Sequence, residues 1–506
     1  MTAEHLSFWI ASTPLPPYSP LPSDTVTDVV VIGAGITGIT TALELQQAGR
    51  RVLLLEAARV LEGVTGNTTA KVTSAHGLIY RDLVRLHGEE KAREYGDLQQ
   101  RAMEHIAATA EAIDCDLVRV SSYSYATTDE QLEQVREEAE IAAGLGLPAS
   151  FTEDVALPFE TTGAVRFDEQ ARFHPRAYLA ELLRRFTSAG GVVHEQTRVT
   201  TVRERWDGCT VETERGAVKA EQVVVATHLP ILDRAAFFAR AFPVRDYVVA
   251  GHVDPDVMPD AQWLGGDPTR SLRWTASPDG PLLLVGGGHH TPGREDTDGK
   301  FDELTAWVRG FAPEFEPRYT WSAQDYSSAD KLPFVGRYTS LSKRLWTACA
   351  FGAWGMTNAT AAAFVLRDLV LGQDSPHAAL LEPNRRPPVK SWKTLLEENL
   401  KVGGELIGRT LESAPDDDPA TLAPGEAAVL KVKGRKAACS RDADGTLHVV
   451  SARCTHLGCV VGWNDAERSW DCPCHGSRFA VDGEVLQGPA VKPLRALDPA
   501  EADAQV

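Results

Sequence analysis

Residues 28–38 read DVVVIGAGITG. Asp28 to Gly33 is a short β-branched run that stops in glycines. From Ile36 to Ala48 the apolar residues recur at helical spacing as far as Gly49, and a second apolar run, Arg51 to Leu55, ends at Glu56. Strand, glycine turn, helix and strand make one βαβ unit. Within it Gly33, Gly35 and Gly38 form G-x-G-x-x-G, which permits a tight turn, close backbone approach to a pyrophosphate and near packing of helix on strand. Ile36 and Thr37 open the helix whose positive end would face the phosphates. Glu56, 18 positions after Gly38, is placed to accept hydrogen bonds from a ribose. The competing reading is an ordinary glycine-rich turn, and spacing alone does not choose FAD over NAD.

Outward from this unit, 506 residues with 43% hydrophobic content predict two or three packed domains. A net charge of -19 argues against a nucleic-acid or anionic-membrane surface, which needs clustered Lys and Arg. No run approaches the roughly 20 apolar residues of a membrane span. Met1 to Pro22 lacks a basic-then-apolar secretory pattern, so a cytoplasmic protein is expected. Residues 83–143 read as long helices and residues 192–202 and 211–226 as strands. The alternation from Pro243 to Gly288 reads as an antiparallel substrate-binding sheet inserted into the nucleotide-binding domain. A helix is expected from Met356 to Leu371. Residues 381–424 shift to Pro, Lys and acidic residues, as a docking segment and then a linker, and an all-β pattern starts near Gly425.

Of eight cysteines, Cys115, Cys209, Cys349 and Cys439 are scattered as buried thiols would be, whereas Cys454, Cys459, Cys472 and Cys474 cluster. Cys454-Thr455-His456 and Cys472-Pro473-Cys474-His475 form C-x-H, fifteen residues, C-x-x-H. One Cys and one His per loop give two thiolates to one iron and two imidazoles to the other, the ligand set of a Rieske [2Fe-2S] centre, with Cys454, His456, Cys472 and His475 as ligands. A Cys2His2 zinc site is the competing reading, although zinc fingers usually pair Cys with Cys and His with His.

Residues 25–375 resemble the D-amino-acid oxidase, glycine oxidase and sarcosine oxidase family. The resemblance lies in GVTGNTTAK (Gly63–Lys71), in Arg198-Val199, in VVVATH (Val223–His228) and in FGAWGMT (Phe351–Thr357). It implies FAD held by Thr65, Gly66, Thr69, Ala70 and Lys71, by the Val199 backbone at the adenine, by Ala226 and Thr227, and by Gly352, Gly355, Met356 and Thr357 at the flavin. His228 stands where relatives have glycine. Relatives with covalent flavin carry a cysteine shortly before the last Gly-rich segment; none lies between Cys209 and Cys349, so noncovalent FAD is implied. The C-terminal region resembles Rieske proteins of respiratory type. That implies a Cys459–Cys474 disulfide between the cluster loops and a Ser477 hydroxyl donating to a cluster sulfur. Phe479 replaces a tyrosine donor, implying an intermediate potential.

The expected fold is thus an α/β Rossmann-like FAD-binding domain with an inserted antiparallel-sheet substrate domain (α+β), followed by an all-β Rieske domain. The expected boundaries are 1–400 for the oxidoreductase body, 401–424 for the linker and 425–506 for the Rieske domain. In the body, 25–80, 160–240 and 325–375 are assigned to FAD and 81–160 and 241–324 to substrate. The whole chain resembles bacterial FAD-dependent oxidoreductases carrying a Rieske domain, which implies a dehydrogenase of an amine or amino-acid-like substrate acting with an external electron acceptor or donor. Arg273 (for a substrate carboxylate), His289 and His76 are the catalytic candidates; a strand arginine, a turn histidine and a helix cap are the bland readings. Tyr247 and Tyr326 line the pocket or fill the core. His174, before Pro175, reads as a helix start. Other functions in view are a redox-sensing binding protein with structural FAD, a flavin oxidase using oxygen directly, and an oxygenase component.

Overall fold

The computed structural model describes residues 3–497; residues 498–506 of the expected Rieske range lie outside the described residues. The fingerprint strand, Thr25–Ile32, is the middle of an eight-stranded sheet and runs parallel to Val52–Leu55 on one side and Gly216–Val225 on the other. Val29, Val30 and Val31 are fully buried, because the helices Ile36–Gln47 and Gly355–Val370 cover one face and the strands Val199–Arg205 and Gly208–Thr213 pack on the other side of the core. Gly33 has φ +102°, and a Cβ there would stand 2.4 Å from Ala226 O. Only glycine lets these two strand ends approach.

A nine-stranded sheet forms the second layer. Its order is Pro317–Ser328, Ala241–His252, Leu282–His290, Arg270–Thr275, Gln262–Gly265, Val118–Ala126, Gly163–Arg172 and Lys71–Val72, with Ala149–Thr152 beside Gly163–Arg172. All pairings are antiparallel except Gln262–Gly265 with Val118–Ala126. The helical reading of 83–143 is corrected here: helices span Ile79–His87, Glu89–Ala110 and Asp129–Gly144, with the strand Val118–Ala126 between them. That strand alternates (Val118, Val120, Ser122, Ser124), a period of two that the flanking Glu- and Arg-rich helices masked. Gly163–Arg172, expected among the FAD-binding parts, belongs to this second sheet.

The expected linker 401–424 is also corrected. A 20-residue helix, Trp392–Leu411, runs through its first half. Gly403, Gly404 and Gly408 hide it from sequence reading, but the pairs Lys401–Glu398 and Arg409–Glu405, with Lys393–Glu397 more loosely, line its turns. Two small antiparallel sheets follow, Ala427–Val432 with Arg435–Arg441 and Leu447–Ser451, then Gly462–Asn464, Ser469–Asp471, Arg478–Phe479 and Val485–Gln487. Among the described residues no helix is long and apolar enough to cross a membrane.

Gly38 packs its bare Cα on the fingerprint turn, where a Cβ would lie 1.8 Å from Gly33 O. Gly38→Ala is therefore expected to destabilise the protein by about 1–3 kcal/mol. Urea unfolding measures this, and an unchanged midpoint contradicts it.

Candidate functional site

A cavity of about 1040 Å³ lies between the two large sheets and is closed on one side by the C-terminal domain. Gly33, Gly35, Ile36, Thr37, Glu56, Thr65, Thr69, Lys71, Val199, Ala226, Thr227, Gly352, Gly355 and Met356 all line it. Thr65 Oγ1 accepts from Ile36 N at 3.0 Å, which ties the FAD-loop candidate to the helix start. Glu56 accepts from Ala34 N at 2.8 Å and from Ala58 N at 3.0 Å. Burial pushes the Glu56 carboxyl up, opposed by these backbone N–H groups.

Gly38, Gly66, Ala70 and Thr357 do not line the cavity and are corrected to supporting positions. A Cβ on Gly66 would stand 2.3 Å from Leu61 O, Ala70 holds φ +56°, and Thr357 Oγ1 donates to Thr73 O at 3.1 Å. The loop they support is held from outside by residues that gave no signal as a binding element. Ser7 Oγ donates to Gly66 O, and the fully buried Trp9 donates to Thr68 O at 2.7 Å.

Arg273 is likewise corrected. It is fully buried behind the wall, where its guanidinium donates to Thr69 O, Ala70 O, Phe173 O and Trp274 O. With its donors committed to carbonyls it shapes the loop and does not face a substrate. His76 is also behind the wall, with Nδ1 2.7 Å from Tyr95 Oη and Nε2 2.9 Å from both Thr73 O and Thr357 Oγ1. Burial pulls it down to about 3, so it is a neutral ring on which Trp354 stacks at 4.9 Å. His289 does line the cavity, at its rim, 3.2 Å from Asp246, whose hydrogen bond raises the histidine. His174 caps the helix Pro175–Ser188, accepting from Ala177 N at 3.2 Å.

Lys71 is a buried basic residue of the cavity wall, as are Arg245 and Arg270, and donates to Ser271 Oγ. Burial, then the Arg273 charge, pull its ammonium down to about 7 against the opposing Asp246. Its amine is thus neutral above pH 7 and charged below. His228 also lines the wall and takes φ +67°, the left-handed conformation that a glycine supplies. Its Nε2 meets Asp325 Oδ1 at 2.9 Å, Asp325 Oδ2 accepts from Ala353 N at 2.5 Å, and His228 Nδ1 lies 3.1 Å from Gln487 Nε2 of the C-terminal domain.

In that domain two loops converge. Cys454 N donates to Cys459 O at 2.9 Å and Cys472 N to Ser477 O at 2.8 Å, and Cys459 and Cys474 are joined by a disulfide. The sulfurs of Cys459, Cys472 and Cys474 lie within 4.8 Å of one another, but only Cys472 among them remains a free ligand. The thiol of Cys472 donates to Cys454, and this bond, with the nearby N–H of His456 and the Ser477 hydroxyl, holds Cys454 below the usual thiol range. The rings of His456 and His475 are 5.0 Å apart, and the Nδ1 atom of each is buried without a hydrogen-bond partner. Burial pulls His475 down to about 3, leaving the neutral form that ligates iron. Two thiols and two orphaned imidazole nitrogens fit a two-iron cluster.

The body grips this ligand edge. Asp233 Oδ1 meets His456 Nε2 at 2.8 Å, and Phe238 sets its edge against both imidazoles at 5.7 and 5.1 Å. Tyr326 Oη donates to His475 O at 2.9 Å and Gln324 Nε2 to Gly476 O at 2.8 Å. Tyr247 Oη donates to Asn464 Oδ1 at 3.3 Å, so both tyrosines considered for the pocket are interface anchors. Arg245, buried and on the cavity wall, pairs with Glu467 at 3.0 Å, and Arg478 pairs with Asp471 at 3.0 Å. Burial pushes both carboxyls up, but the two arginines outweigh it and hold them low.

The sequence profile described as DAO, FAD dependent oxidoreductase, matches residues 28–369. The chain belongs to that family. The oxidoreductase also matches the Rieske [2Fe-2S] domain over residues 414–498, so FAD and a [2Fe-2S] cluster are its cofactors. It is 36% identical over 498 residues to YhfW of Bacillus subtilis (strain 168), named as a Rieske 2Fe-2S iron-sulfur protein, covering 97% of each chain. A 51-residue stretch is 51% identical to the cytochrome b6-f complex iron-sulfur subunit of Chlorobaculum thiosulfatiphilum, covering 10% of this chain and 28% of that one. Among solved structures, glycine oxidase from Geobacillus kaustophilus superposes with a TM-score of 0.60 at 20% identity, over 71% of this chain and 99% of that one. L-amino acid deaminase from Proteus vulgaris does so with 0.59 at 16% identity, over 74% and 100%. These two likenesses establish the fold.

Two measurements test this geometry. In FAD-depleted oxidoreductase, amine-reactive labelling of Lys71 followed by mass spectrometry is expected to rise with a midpoint near pH 7, whereas surface lysines follow about 10.4. A carboxylate bonded to the outer nitrogen of a ligating imidazole makes that ligand more electron-donating, favouring oxidised iron. Asp233→Asn is therefore expected to raise the cluster potential by about 40 mV, the equivalent of about 1 kcal/mol for one electron. EPR-monitored redox titration decides this, and an unmoved potential removes Asp233 from the cluster's surroundings.

Proposed function

We propose that the oxidoreductase is a dehydrogenase of an amine or amino-acid-like donor whose electrons leave through the Rieske cluster to an external acceptor. The observation that carries the reading is the shared wall. Gln324 lines the cavity and its side chain bonds the Gly476 carbonyl in the cluster loop, while Tyr326, two residues on, bonds the His475 carbonyl. In this reading Cys454, His456, Cys472 and His475 hold the cluster. Gly33, Gly35, Glu56, Thr65, Val199, Ala226 and Gly352–Met356 hold FAD. FAD takes two electrons as hydride from a C–H bond, and a two-iron cluster takes one electron at a time.

The chain's own residues supply the rest. Lys71 takes up or releases a proton at Nζ near neutral pH, as a group beside a titrating substrate amine must. Ser271 orients it. His289 and Asp246 form a hydrogen-bonded rim, and the C-terminal domain closes the cavity with Leu486, Gln487, Gly488 and Ala490, excluding water from the wall it covers. The Arg245–Glu467 pair and the Gln324 and Tyr326 bonds fix the distance between cavity and cluster loop. The alternative readings, a flavin oxidase using oxygen directly and a redox-sensing binding protein, both make this close registration unnecessary.

Protein purified without air should be screened with amines and amino acids, following flavin bleaching and the reduction of cytochrome c together. With a donor that bleaches the wild type, Cys472→Ser is expected to keep FAD and the bleaching but to lower cytochrome c reduction about ten-fold or more. Acceptor reduction that is unchanged in Cys472→Ser makes the protein a flavin oxidase with a structural appendage.

A further inference from the structure

The helix Trp392–Leu411 joins body and Rieske domain and contains no fully buried residue. It is tied to the rest of the chain at three points, with Asn399, on the flank next to Trp392, donating from Nδ2 to Ala239 O at 2.9 Å, Lys436 Nζ donating to the Arg409 carbonyl, and Glu405 3.8 Å from Arg294. Its outer side is not covered. Trp392, Leu396, Leu400, Ile407 and Leu411 are 56–80% exposed, and steps of four, four, seven and four place them in one stripe along the helix. Single exposed apolar residues are ordinary, but a continuous row of them marks a contact surface.

We propose that this stripe is the interface with a second copy of the chain, two such helices packing antiparallel about a two-fold axis that passes between Gly403 and Gly404. A two-fold contact requires that residue i meet residue j and j meet i. The stripe meets that requirement: about the Gly403–Gly404 point, Leu400 and Ile407 stand equally far on either side, and Leu396 and Leu411 are the next matched pair. In the pair, Leu400 packs on Ile407 of the second copy and Leu396 on its Leu411.

The centre fits as well. A Cβ on Gly403 or Gly404 would meet nothing within 4 Å, so nothing inside the chain calls for glycine there. Glycine weakens a helix, and two in succession are explained by the close approach of another backbone. About the same point Lys393 is matched with Ala414 of the second copy, two residues past the exposed Glu412, so opposite charges come close where the stripe stops. A lipid surface fits less well, because Glu397, 53% exposed, stands beside the stripe and the chain carries a net charge of -19.

Size-exclusion chromatography with light scattering on the FAD- and iron-loaded protein, across the micromolar range, is expected to give twice the chain mass. Leu400→Glu and Ile407→Glu are each expected to give the single mass, with FAD content and the cluster EPR signal retained as evidence of folding. Under mild oxidant, Gly404→Cys is expected to give a disulfide-linked pair on a non-reducing gel, while Gly144→Cys, equally open and on a different helix, stays single. The proposal fails if the wild type keeps the single mass throughout that range. It also fails if the pair survives Leu400→Glu and Gly404→Cys does not link, or if the single-mass protein binds phosphatidylcholine vesicles through Leu400.

Discussion

The strand Pro317–Ser328 bears two sites at once, and their arrangement depends on it. It is the edge of the nine-stranded sheet, so one side is paired with Ala241–His252 and the other carries a short bridge to Glu4, which leaves its side chains room to meet a different domain. Ser322, Gln324 and Asp325 reach the cavity, and Gln324 and Tyr326 also hold the carbonyls of the second cluster loop. An edge strand normally exposes groups that invite unwanted pairing. Here Glu4 and Gly352 meet part of that edge through the backbone, while the side chains of Gln324 and Tyr326 reach the cluster domain, so the distance between the two cofactor sites is set by a few bonds along one strand. Gly476 shows how tight the fit is: a Cβ there would stand 2.5 Å from Gln324 Nε2, and its φ of +71° suits glycine.

Charge specifies the same contact. Arg245 and Arg478 are buried against Glu467 and Asp471, with Arg245 on the body and the other three on the Rieske domain. Removing four charges from water is costly, and pairing offsets that cost only when the geometry is good. Such a cluster contributes less to net stability than an apolar patch of equal size. It discriminates strongly between the correct docking and a shifted one, since a slip of one residue strands a buried charge.

Much of this was legible in the chain. The run from Asp28 to Gly38 encodes a βαβ unit because the close approaches at Gly33 and Gly38 are steric and local. The two Cys and His loops are legible for the same reason, since each ligand pair sits within four residues. What was not legible depends on contacts distant in sequence. Arg273 looks like a substrate arginine until the carbonyls of Thr69, Ala70 and Phe173 come round to claim it. His76 looks like a base until Tyr95 and Thr357 enclose it. The strand Val118–Ala126 alternates in the sequence but lies between two helices rich in charge, and the helix Trp392–Leu411 is disguised by its glycines. The domain contact leaves no sequence signal, because Gln324, Tyr326 and Asp233 are ordinary residues until the fold presents them to the cluster loops.

Residues 4–9 join two parts of the molecule that are distant in sequence. Trp9 and Ser7 brace the loop at Gly66–Thr68, and Glu4 is bonded to Arg318 and Thr320 on the edge strand. One short stretch thus touches both the loop beside the cavity and the strand that meets the cluster domain. Residues 4–9 act as a tie-rod: a displacement of either end is passed to the other without crossing the cavity.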